Sequence, residues 1–236
     1  MVARKQPISA KSDVSTNPQP KIKKPKRAKP AAPAWYTYFS SGCGKYHLSN
    51  FAAARVEFEG KEYPSSEHAY QARKFVEGDR HRFAVGGDLA SFDAFAMFYK
   101  EPDATKKAGF WSSTYQGKRP PMVGIVAKLA SHPDRAKKLG LTMLWHDESQ
   151  RSEESLSSLF TDILKCKYAQ NPEFHAVLKA TGDTRLIEFG RDAGHKTAAG
   201  KPPLWTGLVK EEEVLGKNLM GRIMEGVRAE LCPYAA

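Results

Sequence analysis

The sequence has few cysteines, and they form no recognisable pattern. The three residues, Cys43, Cys166 and Cys232, are widely spaced, odd in number and not in a Cys-x-x-Cys pair. This argues against a disulfide framework and a cysteine-based zinc site, and indicates a reducing compartment. The sequence also lacks an apolar run long enough to span a membrane and the apolar core of a secretory signal. We therefore expect a soluble, intracellular protein.

Common catalytic motifs are missing as well. There is no P-loop, no dinucleotide-binding fingerprint, no His-Glu-x-x-His and no Gly-x-Ser-x-Gly. We expect neither a bound metal nor a cofactor. The remaining candidates for a functional site are carboxylates, tryptophans and glycines.

The positive charge is unevenly distributed. The net charge is +11, but residues 1–34 hold nine Lys and Arg against one Asp, a net of +8, which leaves +3 for residues 35–236. Residues 1–34 are rich in Pro, Ser and Ala, so they cannot offset their ordering entropy by burial. We predict a disordered basic tail over 1–34, whose Lys21–Lys29 cluster is a nuclear address, a phosphate-binding arm or merely solubilising.

The remaining residues, 35–236, predict one mainly helical α+β domain with a few short strands near its start. Strand-like sequence opens the domain at Trp35–Phe39, and a hairpin turning at Glu59-Gly60 is expected next. Helical spacing of apolar residues predicts later helices near 122–129, 156–164, 172–178 and 215–231, with residues 186–189 as the one later strand. Two long stretches, 98–121 and 190–214, lack this regularity and are typical of functional lids or rims, or of tolerated insertions.

The most informative segment is Pro64–Phe75. Ser65 or Ser66 can cap a helix here, which places Glu67 in its first turn, where a carboxylate interacts favourably with the helix dipole. Steps of four and seven residues then put Gln71 and Lys74 on the same face. His68 points about 100° away, and we expect it to be a buried, hydrogen-bonded histidine.

Other candidates lie elsewhere in the chain. Asp192 follows the strand predicted over 186–189, so it could pair with Glu67 as the two carboxylates that cleavage of a glycosidic bond commonly uses, although a turn-forming role is the alternative. Trp111, Trp145 and Trp205 could stack on a base, or could anchor core and loops.

Five blocks of the sequence resemble the NADAR (YbiA-like) family. They occur in the family's order over about residues 36–232: Leu48–Phe51, Ser66–Phe75, Lys165–Asn171, Leu186–Glu188 with Asp192, and Gly216–Gly221. The resemblance implies a mainly helical N-glycosidase. Some members hydrolyse phosphorylated riboflavin-pathway intermediates, and others remove ADP-ribose from guanine bases of nucleic acid.

The resemblance also implies roles for individual residues. Glu67 becomes the principal catalytic carboxylate and Asp192 its partner. From its place on the Glu67 face, Lys74 could hold Glu67 ionised, bind a pyrophosphate oxygen or act as an amine nucleophile, and we expect one of the first two roles. The implied substrate-binding residues are Ser49, Asn50, Phe51, Gln71, Trp145, Trp205, Gly216 and Asn218. The sequence departs from the family's Asp-x-x-Trp-Gly pattern, because an insertion separates Asp192 from Trp205-Thr206-Gly207. Lys128 lies in a segment similar to one in longer family members, and its role is open.

These expectations give three functional hypotheses. The leading one is a metal-independent, monomeric hydrolase, nuclear or cytoplasmic, that removes ADP-ribose from guanine in DNA or RNA. The second keeps the chemistry but takes a phosphorylated riboflavin-synthesis intermediate as substrate. The third is a non-catalytic module that binds ADP-ribose or nucleic acid.

Overall fold

The computed structural model of the protein describes residues 36–42, 44–114, 119–145, 150–190 and 202–233. The predicted tail 1–34, Cys43 and Asp192 lie outside the described residues. The described part is mainly helical, as predicted. Its helices are α1 Ser66–Ala72, α2 Glu77–Arg80, α3 Phe95–Phe98, α4 Asp103–Ser112, α5 Gly124–Ala130, α6 Pro133–Lys138, α7 Glu153–Gln170, α8 Pro172–Lys179 and α9 Leu219–Leu231. Its strands are β1 Tyr36–Phe39, β2 Val56–Phe58, β3 Lys61–Tyr63, β4 Arg185–Glu188, β5 Leu208–Lys210 and β6 Glu213–Leu215.

The strands form three separate pairs. β1 and β4 pair in parallel, with Tyr36 opposite Arg185 and Phe39 opposite Glu188. β2 and β3 form the predicted hairpin, in which Glu59 and Gly60 both have positive φ, as a type I′ turn requires. β5 and β6 form a second hairpin, which corrects the prediction of a single late strand.

α7 is the central helix of the core. Its buried face carries Leu156, Phe160, Ile163 and Leu164, at the spacing expected of one helix face. This face packs against α1 and α9, and α7 also contacts α8 and β2. α1 lies between α7 and α5, so all seven of its residues are buried. Polar side chains of α1 are therefore held in a dense, water-poor environment.

Three predicted boundaries need correction. α4 occupies part of the stretch 98–121 that was expected to be irregular, because an exposed glycine such as Gly109 is tolerated in a helix interior. α9 begins at Leu219 rather than near Leu215, since Gly216 and Asn218 have positive φ and interrupt the helix. α1 ends at Ala72, two residues before Lys74, where the chain turns through bonds from the N–H of Arg73 to Tyr70 O and from that of Lys74 to Gln71 O.

No helix in the described residues combines the length and the apolar character that crossing a bilayer requires.

Candidate active site

The N-terminus of α1 holds Glu67 in a fixed position. Ser65 is the N-cap, and its Oγ accepts a hydrogen bond from the His68 N–H at 3.3 Å. The Glu67 N–H donates to the carbonyl oxygen of Asn50 at 3.1 Å, and Ser66 Oγ lies 3.2 Å from Asn50 Oδ1. The segment around Asn50 is thereby tied to the same helix turn that carries the carboxylate.

His68 is a structural residue, as the sequence predicted. It is fully buried, with Nδ1 2.8 Å from Ser65 Oγ and Nε2 3.1 Å from Leu89 O. Burial lowers the pKa of His68 to about 3, so the ring is neutral at physiological pH. His68 therefore supports the N-cap residue Ser65 and does not serve in proton transfer.

Gln71 interacts directly with the carboxylate of Glu67. Its Nε2 donates to Glu67 Oε1 at 2.7 Å, and a donated N–H bond stabilises negative charge on that oxygen. Gln71 is completely buried, yet its Oε1 has no hydrogen-bond partner among the described residues. A buried acceptor without a partner costs stability, a cost that proteins accept mainly at functional sites.

An aromatic group lies one turn further along α1, centred on Tyr70. The Tyr70 ring stacks on Phe160 with centroids 4.1 Å apart. It meets the rings of Trp145 and Trp205 edge-on at 5.8 Å and 5.9 Å. Trp145 and Trp205, which were proposed from the sequence as stacking residues, therefore both pack on Tyr70. Neither Tyr70 nor Phe160 was proposed from the sequence. Trp111 is not part of this group and contacts Phe110 instead.

Lys74 is buried against the same aromatic group. Its Nζ is 4.9 Å from the Trp145 ring and 5.4 Å from the Tyr70 ring, distances typical of cation–π contacts. The indole of Trp145 is fixed in turn by a bond from Nε1 to Arg73 O at 3.2 Å. The aromatic rings thus hold a positive charge next to the wall that Tyr70 and the tryptophans form.

A second carboxylate, Glu188, lies at the end of β4. Burial, together with the negative charge of Glu67, raises the pKa of Glu188 to about 8, while the positive charge of Lys128 opposes the rise. The charges of Glu67 and Lys128 therefore both act on Glu188, and we call these three residues one electrostatic neighbourhood. The sequence placed Glu188 within a family block without indicating a role, although its position near the end of a predicted strand, four residues before Asp192, was a usable signal.

The backbone at Glu188 is fixed on several sides. Asn218 Oδ1 accepts from the Glu188 N–H at 3.1 Å, and Asn218 Nδ2 donates to Leu186 O at 2.8 Å. The Gly207 N–H donates to Glu188 O at 2.8 Å. Asn218, expected to bind substrate, therefore has its amide committed to β4, where it positions Glu188.

Gly124 explains how α5 comes so close to Glu67. A Cβ at this position would lie 2.6 Å from Phe51 Cα and 2.8 Å from Glu67 Cβ. The Gly124 N–H also donates to Phe51 O at 3.0 Å. Lys128 follows one turn later on α5, which accounts for its electrostatic effect on Glu188.

Two further predicted residues lie at the margins of this arrangement. The carbonyl oxygen of Ser49 accepts from Lys167 Nζ at 2.9 Å, a contact that anchors the segment leading to Asn50. Gly216 lies in the turn after β6 and lines a surface depression together with Arg185 and Arg222. Within the described part of the chain, no three His, Cys, Asp or Glu residues cluster closely enough to hold a metal ion.

Comparison with known proteins identifies the family. The NADAR domain model matches residues 36–232. The chain belongs to the NADAR family. This confirms the resemblance of the five sequence blocks, and NADAR membership implies an N-glycosidase-type hydrolase in general. The chain is also similar to the NMR structure of the E. coli protein YbiA, with 21% sequence identity over 87% of this chain and 89% of that chain and a TM-score of 0.44. Among curated proteins, none matches the chain.

Proposed function

We propose that this NADAR protein hydrolyses the bond between ribose and an ADP-ribosylated guanine of nucleic acid, releasing ADP-ribose and restoring the base. The observation that carries the proposal is the pair of glutamates, Glu67 and Glu188, in one electrostatic neighbourhood beside an aromatic wall. Cleavage of a ribose–nitrogen bond develops positive charge on the sugar and negative charge on the leaving base. It therefore calls for one ionised and one protonated carboxyl group, which is the division that two neighbouring carboxylates favour.

Glu67 takes the role of the ionised group. The first turn of a helix and the hydrogen bond from Gln71 both favour negative charge there. Its carboxylate stabilises the oxocarbenium-like sugar in the transition state and orients the attacking water.

Glu188 takes the role of the acid. Because its pKa is raised to about 8, it holds a proton at neutral pH that it can give to the leaving guanine. The sequence-based candidate for this role, Asp192, follows β4 by four residues and stays an alternative acid.

The surrounding residues suit the rest of such a substrate. The indole of Trp205, which is partly exposed and meets the buried rings of Tyr70 and Phe160 edge-on, offers a surface on which a nucleobase can stack. Lys128, which is exposed, supplies positive charge for the diphosphate.

The decisive test is Glu67→Gln. We expect kcat on an oligonucleotide bearing ADP-ribosylated guanine to fall by about 10²–10⁴-fold, with KM changed by less than about threefold, since the carboxylate acts in the transition state. Free ADP-ribose is measured by chromatography. Glu173→Gln is the matched control, because Glu173 is also a first-turn helix glutamate but is exposed on α8.

A parallel reaction with the phosphorylated riboflavin-synthesis intermediate separates the substrate classes. Turnover of that compound alone would replace nucleic acid by a small nucleotide as the substrate. Binding of ADP-ribosylated DNA or RNA without turnover would make the protein a binding module. Full activity of the Glu67→Gln variant would remove Glu67 from the mechanism.

A further inference from the structure

One face of the domain carries a local excess of positive charge. The described residues between Phe95 and Lys138 include eight Lys and Arg against three acidic residues, a net of +5, whereas residues 35–236 as a whole carry only +3. The cationic face, as we call it, consists of α4 and α6, with Lys106, Lys107, Arg135, Lys137 and Lys138 against Asp103 and Asp134, and of α3, which packs on α4 and has no charged residue.

Aromatic rings lie between these cations. Lys107 Nζ of α4 is 4.6 Å from the ring of Tyr99, and Arg135 Cζ of α6 is 5.6 Å from the same ring. At the end of α4, the Phe110 ring is 60% exposed, and it packs over the buried guanidinium of Arg119, which donates to the carbonyl oxygens of Phe110 and Ser113. Exposed aromatic rings interleaved with cations are typical of surfaces that bind single-stranded nucleic acid, where bases stack and phosphates are neutralised.

The cations of this face are not neutralised by the protein. Within the described ranges, no carboxylate lies in ion-pair contact with Lys106, Arg135, Lys137 or Lys138. The arginines that follow α1 differ, since Arg73 and Arg80 pair with Glu59 and Glu77. The unpaired positive charge of the cationic face is therefore available to an anionic partner.

The cationic face is continuous with the candidate active site through α5. The first residue of α5, Gly124, packs on Glu67, and Lys128 near its end influences Glu188. α6 starts only five residues after Lys128 and packs on α5. A strand lying on α3, α4 and α6 can therefore reach Lys128, the exposed residue of α5 whose charge acts on Glu188.

We propose that the cationic face binds the single-stranded segment of DNA or RNA that carries the modified guanine. This inference rests on the proposed function for its choice of substrate, and it adds the surface that holds the polynucleotide outside the reacting centre. Binding there is sequence-independent and salt-dependent, because phosphates and base faces are common to all strands.

The test uses the full chain with the triple variant Lys106→Gln, Lys137→Gln and Lys138→Gln. All three lysines are exposed, so the fold is expected to be unaffected. The matched control is the triple variant Lys45→Gln, Lys179→Gln and Lys210→Gln, which removes the same charge from exposed positions elsewhere. Fluorescence anisotropy with an unmodified, labelled single-stranded oligonucleotide gives the affinity at several salt concentrations.

We expect the slope of log affinity against log salt to become shallower by about 2 in the first variant, since each lost phosphate contact contributes about 0.7. The control slope should match that of the parent protein. Phe110→Ser should weaken oligonucleotide binding by about fivefold or more at every salt concentration, because it removes a stacking surface rather than a charge.

Catalysis gives a second readout. KM for ADP-ribosylated guanine within an oligonucleotide should rise about tenfold in the cationic-face variant, with kcat and the turnover of ADP-ribosylated guanosine as a free nucleoside unchanged. Equal binding slopes for parent and variant, or an equal loss in the control, would overturn the inference. If the parent hydrolyses neither substrate, the proposed function fails, and the binding slopes alone still decide whether the cationic face binds nucleic acid.

Discussion

Two glutamates in this protein differ in their surroundings more than in their chemistry. Glu67 is at the start of α1 with an amide donor on its oxygen, whereas Glu188 is at the end of β4 in a site whose burial favours the neutral acid. In the proposed reaction, the ionised Glu67 takes the electrostatic role and the protonated Glu188 takes the acid role.

The raised pKa of Glu188 predicts a pH dependence of stability. Its pKa is about 8 in the folded protein against 4.5 for an unperturbed glutamate, so between these values the folded state holds a proton that the unfolded chain releases. The contribution of Glu188 to the free energy of unfolding therefore falls as pH rises from about 4.5 to 8. Glu188→Gln removes this contribution, so the variant should gain stability relative to the parent as pH rises across that window.

Urea unfolding of both proteins at about pH 5, 6.5 and 8 measures this difference. Glu213→Gln, at an exposed position on β6, is the control and should show no trend against the parent. The Glu188→Gln variant should also lose about 10²–10⁴-fold in kcat, and the parent's kcat should decline above about pH 8 as the acid deprotonates. A pH-independent stability difference would contradict the assignment of the proton to Glu188.

At the residue scale, the sequence predicted what local spacing determines. The contact between Gln71 and Glu67 follows from a four-residue step on one helix, and the buried state of His68 follows from its angle on that helix. Glu188 and Tyr70 were not assigned roles, because their importance depends on contacts between segments far apart in sequence. No spacing rule within one element encodes such contacts.

At the scale of elements, the approach of α5 to α1 requires the absence of a side chain. Gly124→Ala would place a methyl group 2.6 Å from the backbone of Phe51 and 2.8 Å from Glu67 Cβ. Neither group can move without shifting the turn that carries Glu67. We expect a loss of about 1–3 kcal/mol in stability from overpacking, together with a drop in kcat, measured by thermal unfolding and by release of ADP-ribose.

Gly226→Ala provides the control for this prediction. Gly226 lies in α9, and no atom comes within 4 Å of the position that an alanine methyl group would occupy there. Alanine at this position should therefore stabilise the protein by about 0.5–1 kcal/mol through helix propensity. A Gly124→Ala variant that behaved like Gly226→Ala would show that the helices can separate without cost to the site.

The two hairpins show why some elements could be predicted and others not. The β2–β3 turn contains Gly60 at a positive φ, and glycine there is a recognised hairpin signal. The β5–β6 turn uses Glu211 and Glu212 at positive φ instead, residues that carry no such signal. The hairpin was missed because the composition of its turn is unusual. The late start of α9 has a related cause, since Gly216 and Asn218, just after β6, also have positive φ.

At the scale of the whole molecule, charge is divided between the domain and the first 34 residues. These residues hold +8 of the net +11, including the Lys21–Lys29 cluster. Deleting them should make the salt dependence of binding to ADP-ribosylated oligonucleotide shallower by as much as about 6, the value expected if all nine cations contact phosphates of a single strand. Turnover of ADP-ribosylated guanosine should be unchanged.

Measurement of kcat/KM for both substrates at several salt concentrations checks this prediction. An unchanged salt dependence on the oligonucleotide would show that residues 1–34 do not help the enzyme find nucleic acid. Reduced turnover of the free nucleoside would instead indicate that these residues support the active site itself.

The pairing of β1 with β4 has a consequence for how the enzyme is made. β1 leaves the ribosome early, but its partner strand is synthesised only after α8, and Asn218 and Gly207, which hold Glu188, come later still. Because a pairing between distant segments forms only when both are present, a nascent chain contains Glu67 long before it contains a positioned Glu188. Glycosidase activity should therefore arise only once Asn218 has left the ribosome. Truncated chains that end before Asn218 should not cleave ADP-ribose linkages.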